Sequence, residues 1–243
     1  MGILAEPLQY IRDLDFEIGF SVCELGDQWV TCQGTHRLAR KFYEELGCNR
    51  YESIDGNGRG TLTVDLNLPI EKWPIGVSTS EWIRGFDIVT DFGTGEHIFD
   101  QLQVWRTMHM LTKVGGCIVF DRPCAGYEGH CFYLIQPNLI AAVAWANCYE
   151  VVAFERAQTT RGHLVRGVLR KTNNQRFMVP QQGRYHKDLK PILSSDLKIR
   201  GPDHKSKALR DAGVIRRGVG DVVSCEDSEE DIESLHADHW MRG

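Results

Sequence analysis

The chain has no run of about 20 apolar residues, the length a helix needs to cross a bilayer, so no membrane-spanning segment is expected. Its N-terminus also lacks a basic stretch followed by an apolar core, which leaves no export signal and makes the cytoplasm the expected location. Cys-x-x-Cys spacing is absent. The eight cysteines fall mostly inside apolar segments of a chain too long to need a disulfide framework, and are expected as buried free thiols. Cys117, Cys124 and Cys131 lie near His130, but in strand and loop contexts without close pairing, and no metal is expected there. Gly-x-Gly-x-x-Gly is missing after the first predicted strand, which removes the usual cradle for a pyrophosphate. No internal repeat is visible.

What is present reads as a globular protein. At 243 residues, with 42% hydrophobic and 25% charged content, the chain is long enough for one sizeable core and an appendage. The net charge of −5 hides segregation: residues 1–150 hold 11 Lys/Arg against 20 Asp/Glu, 151–220 hold 16 against 5, and 221–243 hold 1 against 8. A basic block of this kind is read first as a solvated face, or one paired with the acidic body or tail. Its second reading is a surface for an anionic partner.

Apolar periodicity gives an α/β order. Ile18 to Leu25 is a buried strand ending at Gly26, and Thr35 is expected to cap a helix carrying Leu38, Phe42 and Leu46, stopped by Gly47. Tyr51 to Ile54 is a second strand ending in Asp55, and Thr61 to Leu66 a third. The spacing between them is too short for a parallel crossover helix, so an omitted helix or a local hairpin is expected there. Phe86 to Thr90 is a fourth strand. A helix from about Glu96 with Ile98, Leu102, Trp105 and Met108 on one stripe follows, then a strand from Cys117 to Phe120 and a helix from Pro137 to Cys148. Glu150 to Glu155 and His163 to Lys171 are joined by a connection so short that they must be antiparallel. The predicted architecture is a Rossmann-like, mostly parallel seven-stranded sheet with an antiparallel terminal hairpin and helices on both faces.

In an open α/β sheet, ligands bind beyond the carboxyl ends of the strands. Glu24, Gly26 and Asp27, then Asp55, Asp65 and Asp91, fall at or near those ends. A carboxylate after the second strand suits ribose hydroxyls, while an acidic loop disfavours phosphate.

These residues carry a family resemblance. Val22-Cys23-Glu24-Leu25-Gly26-Asp27 resembles the Glu-x-Gly-x-Gly signature of class I S-adenosylmethionine-dependent methyltransferases, with Gln28 standing where the last glycine would be. Asp55 matches the family's ribose-binding acid, and Asp65-Leu66 resembles the pair flanking adenine. The resemblance spans residues 18–171 and continues through Asp91-Phe92-Gly93-Thr94-Gly95-Glu96-His97, Lys113-Val114-Gly115-Gly116 and the run Gly126 to Tyr133. The Gly93-Thr94-Gly95-Glu96-His97 run together with Gly129-His130-Cys131-Phe132-Tyr133 is similar to a bacterial and phage-associated subgroup, some of it linked to glycan modification. The family resemblance implies S-adenosyl-L-methionine as cofactor, with Glu24, Gly26, Asp27, Gln28, Asp55, Gly56, Asp65, Leu66, Asp91 and Phe92 as binding residues. His97 and His130 are the candidate catalytic residues, since a neutral imidazole can take a proton from an acceptor.

The expected organisation is a methyltransferase domain over 1–172, a basic irregular extension over 173–220 and an acidic, flexible tail over 221–243. The expected acceptor is an oxygen or nitrogen of a small molecule or glycan. Two alternatives stand beside it. One is a nucleic-acid methyltransferase using the basic 156–217 segment, although that block has few aromatics for stacking and the chain has no Asn/Asp-Pro-Pro-Tyr/Phe run. The other is a non-catalytic protein on the same fold, suggested by Gln28. Sequence leaves the oligomeric state open.

Overall fold

The computed structural model describes residues 2–32, 35–74 and 79–181. Most of the basic extension and all of the acidic tail therefore lie outside the described residues.

Sequence order runs β1 (Gly2–Ile3), α1 (Ala5–Arg12), β2 (Ser21–Leu25), β3 (Trp29–Cys32), β4 (Thr35–Leu38), α2 (Ala39–Glu45), β5 (Arg50–Ile54), α3 (Thr79–Trp82) and β6 (Phe86–Asp91). It continues with α4 (Gln101–Leu111), β7 (Thr112–Ala125), α5 (Pro137–Ala146), β8 (Glu150–Gln158) and β9 (His163–Arg170). Short 3-10 turns cover Ile70–Lys72 and Gly95–His97.

The main sheet has six strands in the order β5-β2-β6-β7-β9-β8. β5, β2, β6 and β7 are mutually parallel, and β9 runs antiparallel to both β7 and β8. This is the expected Rossmann-like α/β sheet with its terminal hairpin, with six strands among the described residues rather than the seven expected. The segment Thr61 to Leu66 makes only one parallel bridge, Leu62 to Ile54. The connection of residues 55–61 is a tight loop with neither helix nor hairpin. Asp55 N–H donates to the Leu62 carbonyl at 3.1 Å and Leu62 N–H to the Ser53 carbonyl at 3.0 Å. Gly60 permits this approach, because a Cβ there would stand 2.8 Å from the Ser53 carbonyl oxygen.

Side chains alternate across the sheet, as strand geometry requires. Cys23, Leu25, Val89, Ile118, Phe120, Val165 and Leu169 enter one core beneath α4 and α5. Val22, Ile88, Cys117, Val119 and Val168 enter the other, beneath α1 and α2. The layers are helix, sheet and helix.

Two boundaries differ from expectation near the first glycine turn. Thr35 does not cap a helix: Thr35–Leu38 pairs antiparallel with Trp29–Cys32, and the helix begins at Ala39. Strand pairing with β3, which itself pairs with β1, overrides the fourfold apolar spacing here. Likewise, the helix expected from Glu96 starts at Gln101, where Asp100 caps it by accepting from Gln103 N–H at 2.9 Å. The Lys113-Val114-Gly115-Gly116 run lies inside β7. Among the described cysteines, Cys23, Cys117 and Cys124 are buried free thiols, whereas Cys148 is exposed. No helix among the described residues is long and apolar enough to cross a membrane.

Candidate functional site

The strand order reverses between β5-β2 and β6-β7, so the loops after β2, β5 and β6 converge at the carboxyl edge of the sheet. Chain geometry there starts with Gly26. Its φ of +90° lies in the left-handed region, and its N–H donates to the Ile54 carbonyl at 2.7 Å, joining β2 to the end of β5.

Glu24, one residue before the turn's approach, is fully buried. Its carboxyl accepts from the Tyr51 hydroxyl at 2.6 Å, and more weakly from Tyr43 and from Gln28 N–H, each at 3.4 Å. Burial pushes its pKa up to about 8. Glu24 thus braces the loop from beneath.

Asp55 is half-buried and directly behind the same loop. One carboxylate oxygen accepts from Asp27 N–H at 2.9 Å and the other from Asn57 N–H at 2.8 Å. The Asp27 carboxyl is raised by burial and by the charge of Asp55. Two acidic side chains therefore face one turn. Gly56 is exposed beside them.

Gln28 departs from the glycine the motif would have. Its amide nitrogen donates to Thr94 Oγ1 at 3.0 Å, and Thr94 Oγ1 in turn donates to the Leu25 carbonyl at 2.8 Å. The Gln28 side-chain Oε1 is buried with no hydrogen-bond partner. A Cβ on Gly26 would meet Thr94 Oγ1 at 2.2 Å and Gln28 Nε2 at 2.6 Å, so these two side chains lie directly over the turn.

Beyond β6, Asp91 and Glu96 are both fully buried against the fully buried Arg122 of β7, whose Nε lies 3.4 Å from Asp91 and 3.6 Å from Glu96. Asp91 also accepts from the backbone N–H groups of Thr94 and Gly95, at 3.2 and 2.8 Å. Burial and the Asp91 charge raise Glu96 to about 7. Neither Glu96 carboxylate oxygen has a hydrogen-bond partner.

The loop after β7 is pinned to this group, because Phe132 N–H and Tyr133 N–H both donate to the Glu96 carbonyl. It carries His130 against His97, with ring centroids 5.0 Å apart and planes at 80°. Burial and the nearby His130 lower the pKa of His97, which favours its neutral imidazole, with one N–H donor and one acceptor nitrogen. One ligating atom each from Glu96, His97 and His130 lies within 4.8 Å of the others.

The fold thus brings together Glu24, Gly26, Asp27, Gln28 and Asp55 in one place, and His97 with His130 in another, linked through Thr94. It does not gather the remaining expected residues in the same way. Asp65 is exposed and accepts from Asn67 in its own turn, while Leu66 and Phe92 are core residues. Asp91 is turned to Arg122. Sequence reading missed Arg122, whose Asp121-Arg122-Pro123 context offers no motif, and Thr94 and Glu96 were read only as members of a run.

No family model and no curated protein matches the chain. Among solved structures it is similar to the 1,6-didemethyltoxoflavin-N1-methyltransferase of Burkholderia thailandensis bound to S-adenosylhomocysteine, at 15% identity and TM-score 0.48 over 69% of this chain and 77% of that one. It is also similar to the N-methyltransferase NodS of Bradyrhizobium japonicum, at 16% identity and TM-score 0.46 over 69% and 95% of the two chains. A 16S rRNA adenine N1-methyltransferase from Catenulisporales acidiphilia gives 9% identity and TM-score 0.41 over 70% and 92%. At TM-scores below 0.5, none of these likenesses speaks to what this chain binds.

Proposed function

We propose that the chain is an S-adenosylmethionine-dependent methyltransferase acting on an oxygen or nitrogen of a small molecule or sugar. The observation that carries this reading is the Asp55 carboxylate, held by Asp27 N–H behind the left-handed Gly26 turn where the strand order reverses. An acidic pair at that position suits a ligand combining ribose hydroxyls with positive charge and disfavours one carrying phosphate.

The residues fit the cofactor on this ground. Asp55 would hold the ribose, with Gly26, Asp27 and Gln28 facing the methionine end, and Glu24 would act only through the loop it braces. Gly56 would lie beside the ribose. Asp65, Leu66, Asp91 and Phe92 are proposed as supporting residues of the same edge. When bound, the cofactor supplies a methyl group on a sulfonium. The protein's contribution is position: transfer needs the acceptor atom held in line, and that alone supplies much of the acceleration. His97 and His130 form the acceptor side, where a neutral imidazole can hydrogen-bond the acceptor or take its proton.

Calorimetry with S-adenosylhomocysteine tests this. Binding in the micromolar range or tighter is expected, and Asp55→Ala should abolish it. Absence of heat and of thermal stabilisation would count against the reading. It would favour a non-catalytic protein on the same fold, a second reading that rests on the Gln28 side chain lying over the turn. A nucleic-acid acceptor would instead show binding that falls steeply with salt.

A further inference from the structure

We propose that Glu96, His97 and His130 form a binding site for one divalent transition-metal ion, such as zinc, iron(II) or cobalt(II). Two imidazoles and one carboxylate are a donor set these ions accept, with coordination positions left open. Three observations meet here. One ligating atom from each residue lies within 4.8 Å of the other two, so modest side-chain rotation closes them on a single ion. Both oxygens of the Glu96 carboxylate are fully buried without a hydrogen-bond partner, in a protein interior where such groups are nearly always satisfied. And Glu96 shares the single guanidinium of Arg122 with Asp91, two carboxylates for one cation, with Arg122 Nε no closer to Glu96 than 3.6 Å. One further positive charge would complete this group.

The imidazoles support the same assignment. Neither has a side-chain hydrogen-bond partner among the described residues; their rings meet edge to face, and His130 also packs against Tyr127 with ring centroids 6.0 Å apart. The scaffold beneath them is fixed, by contrast. Glu96 and His97 sit in a 3-10 turn, and the His130 loop is tied to it through the two hydrogen bonds to the Glu96 carbonyl. His97 is exposed, so the open coordination positions face solvent, where an oxygen-bearing ligand enters. If the methyltransferase reading above holds, on which this last step rests, that ligand is the acceptor, and the two imidazoles serve as metal ligands rather than as proton acceptors.

The full chain, stripped with EDTA, is titrated with cobalt(II) while visible absorption is followed, and with zinc(II) by calorimetry. One ion per chain is expected at this site, with ligand-field bands of a nitrogen and oxygen donor set. His97→Ala and His130→Ala are each expected to weaken that binding at least tenfold while circular dichroism stays unchanged. Glu96→Gln is a weaker test because the residue is buried. No binding, or binding that both histidine variants leave intact, overturns the proposal, the latter placing the ion elsewhere in the chain. S-adenosylhomocysteine binding, measured separately in EDTA, keeps the outcomes apart: a chain that binds cofactor but fails the metal titration sinks only the metal site, and one that binds metal but no cofactor sinks only the methyltransferase reading.

Discussion

Thr94 Oγ1 donates to the Leu25 carbonyl oxygen at 2.8 Å and so ties the loop after β6 to the end of β2, directly above the Gly26 turn. The loops after β2 and β6 are one hydrogen-bonded unit. Gly26→Ala attacks that unit twice. The substituted residue keeps a φ of +90°, costing about 1–2 kcal/mol for an L side chain, and its Cβ lands 2.2 Å from Thr94 Oγ1. Thr94 must turn away, releasing Leu25. Chemical denaturation should show a loss of at least that size, and calorimetry should show no S-adenosylhomocysteine binding.

Gln28 is the opposite case. Its side chain covers the turn and leaves its own carbonyl oxygen unsatisfied, so removing it opens space and deletes an orphan acceptor. Gln28→Gly should tighten S-adenosylhomocysteine binding by about tenfold, which corresponds to about 1.4 kcal/mol. Fold stability should drop slightly, by about 0.5–1 kcal/mol, because glycine frees the unfolded backbone. Unchanged or weaker binding would mean that the glutamine contacts the ligand instead of obstructing it.

These two residues also mark how far the sequence could be read. The sheet and its antiparallel end were legible, because buried strands write continuous apolar runs and the short connection of residues 159–162 leaves no other direction for β9. The acidic residues at strand ends were legible for the same reason: they follow the runs. The hairpin Trp29–Leu38 was not, since its pairing partner is the distant β1 and its local spacing imitates a helix. Nor was the Asp91–Glu96–Arg122 group, which is assembled across two strands. Pairing between residues separated by some thirty positions leaves no periodic trace, and only the fold brings them together.

Glu24 should make stability depend on pH. Its folded pKa is raised from 4.5 to about 8, chiefly by burial, so the native state prefers the proton more than the unfolded chain does. The stabilisation is therefore complete below the unfolded value and is lost as pH rises through about 8. Glu24→Gln keeps a neutral acceptor for the Tyr51 hydroxyl and removes the titration. Relative to wild type it should gain about 1.4 kcal/mol per pH unit across that window, read from denaturant midpoints at pH 5.5, 6.5 and 7.5, values of about one unit spacing. Parallel curves for the two proteins would contradict a buried, protonated Glu24.

His109 gives the reverse sign. It is buried in α4, paired with the Tyr149 hydroxyl at 2.6 Å and the Gln175 carbonyl at 2.8 Å, and burial followed by the Lys171 charge lowers its pKa from 6.5 to about 4. Its contribution is present above the unfolded value and lost as pH falls through about 4. His109→Phe should flatten stability over that acid range, while costing about 1–3 kcal/mol at pH 7.5 because Tyr149 and Gln175 lose their partner. The measurement is the difference between the two pH profiles.

Arg122 makes the strongest demand on the fold. It is fully buried, its Nη2 donates to Gln101 Oε1 at 2.8 Å, and its Nε faces Asp91 and Glu96 at once. Replacing it by methionine preserves much of the volume but strands two carboxylates in the interior, and breaking a buried ion pair on one side costs about 3–5 kcal/mol. Arg122→Met should therefore lower the unfolding free energy at pH 7 by about 3–5 kcal/mol, read from chemical denaturation. The loss belongs to the unpaired charge rather than to the missing contacts, so adding Asp91→Asn and Glu96→Gln to the same chain should recover most of it. If the triple variant is as unstable as Arg122→Met alone, the guanidinium holds the loops by its hydrogen bond to Gln101 and by packing, and the charge balance at the end of β6 is not what keeps the site folded.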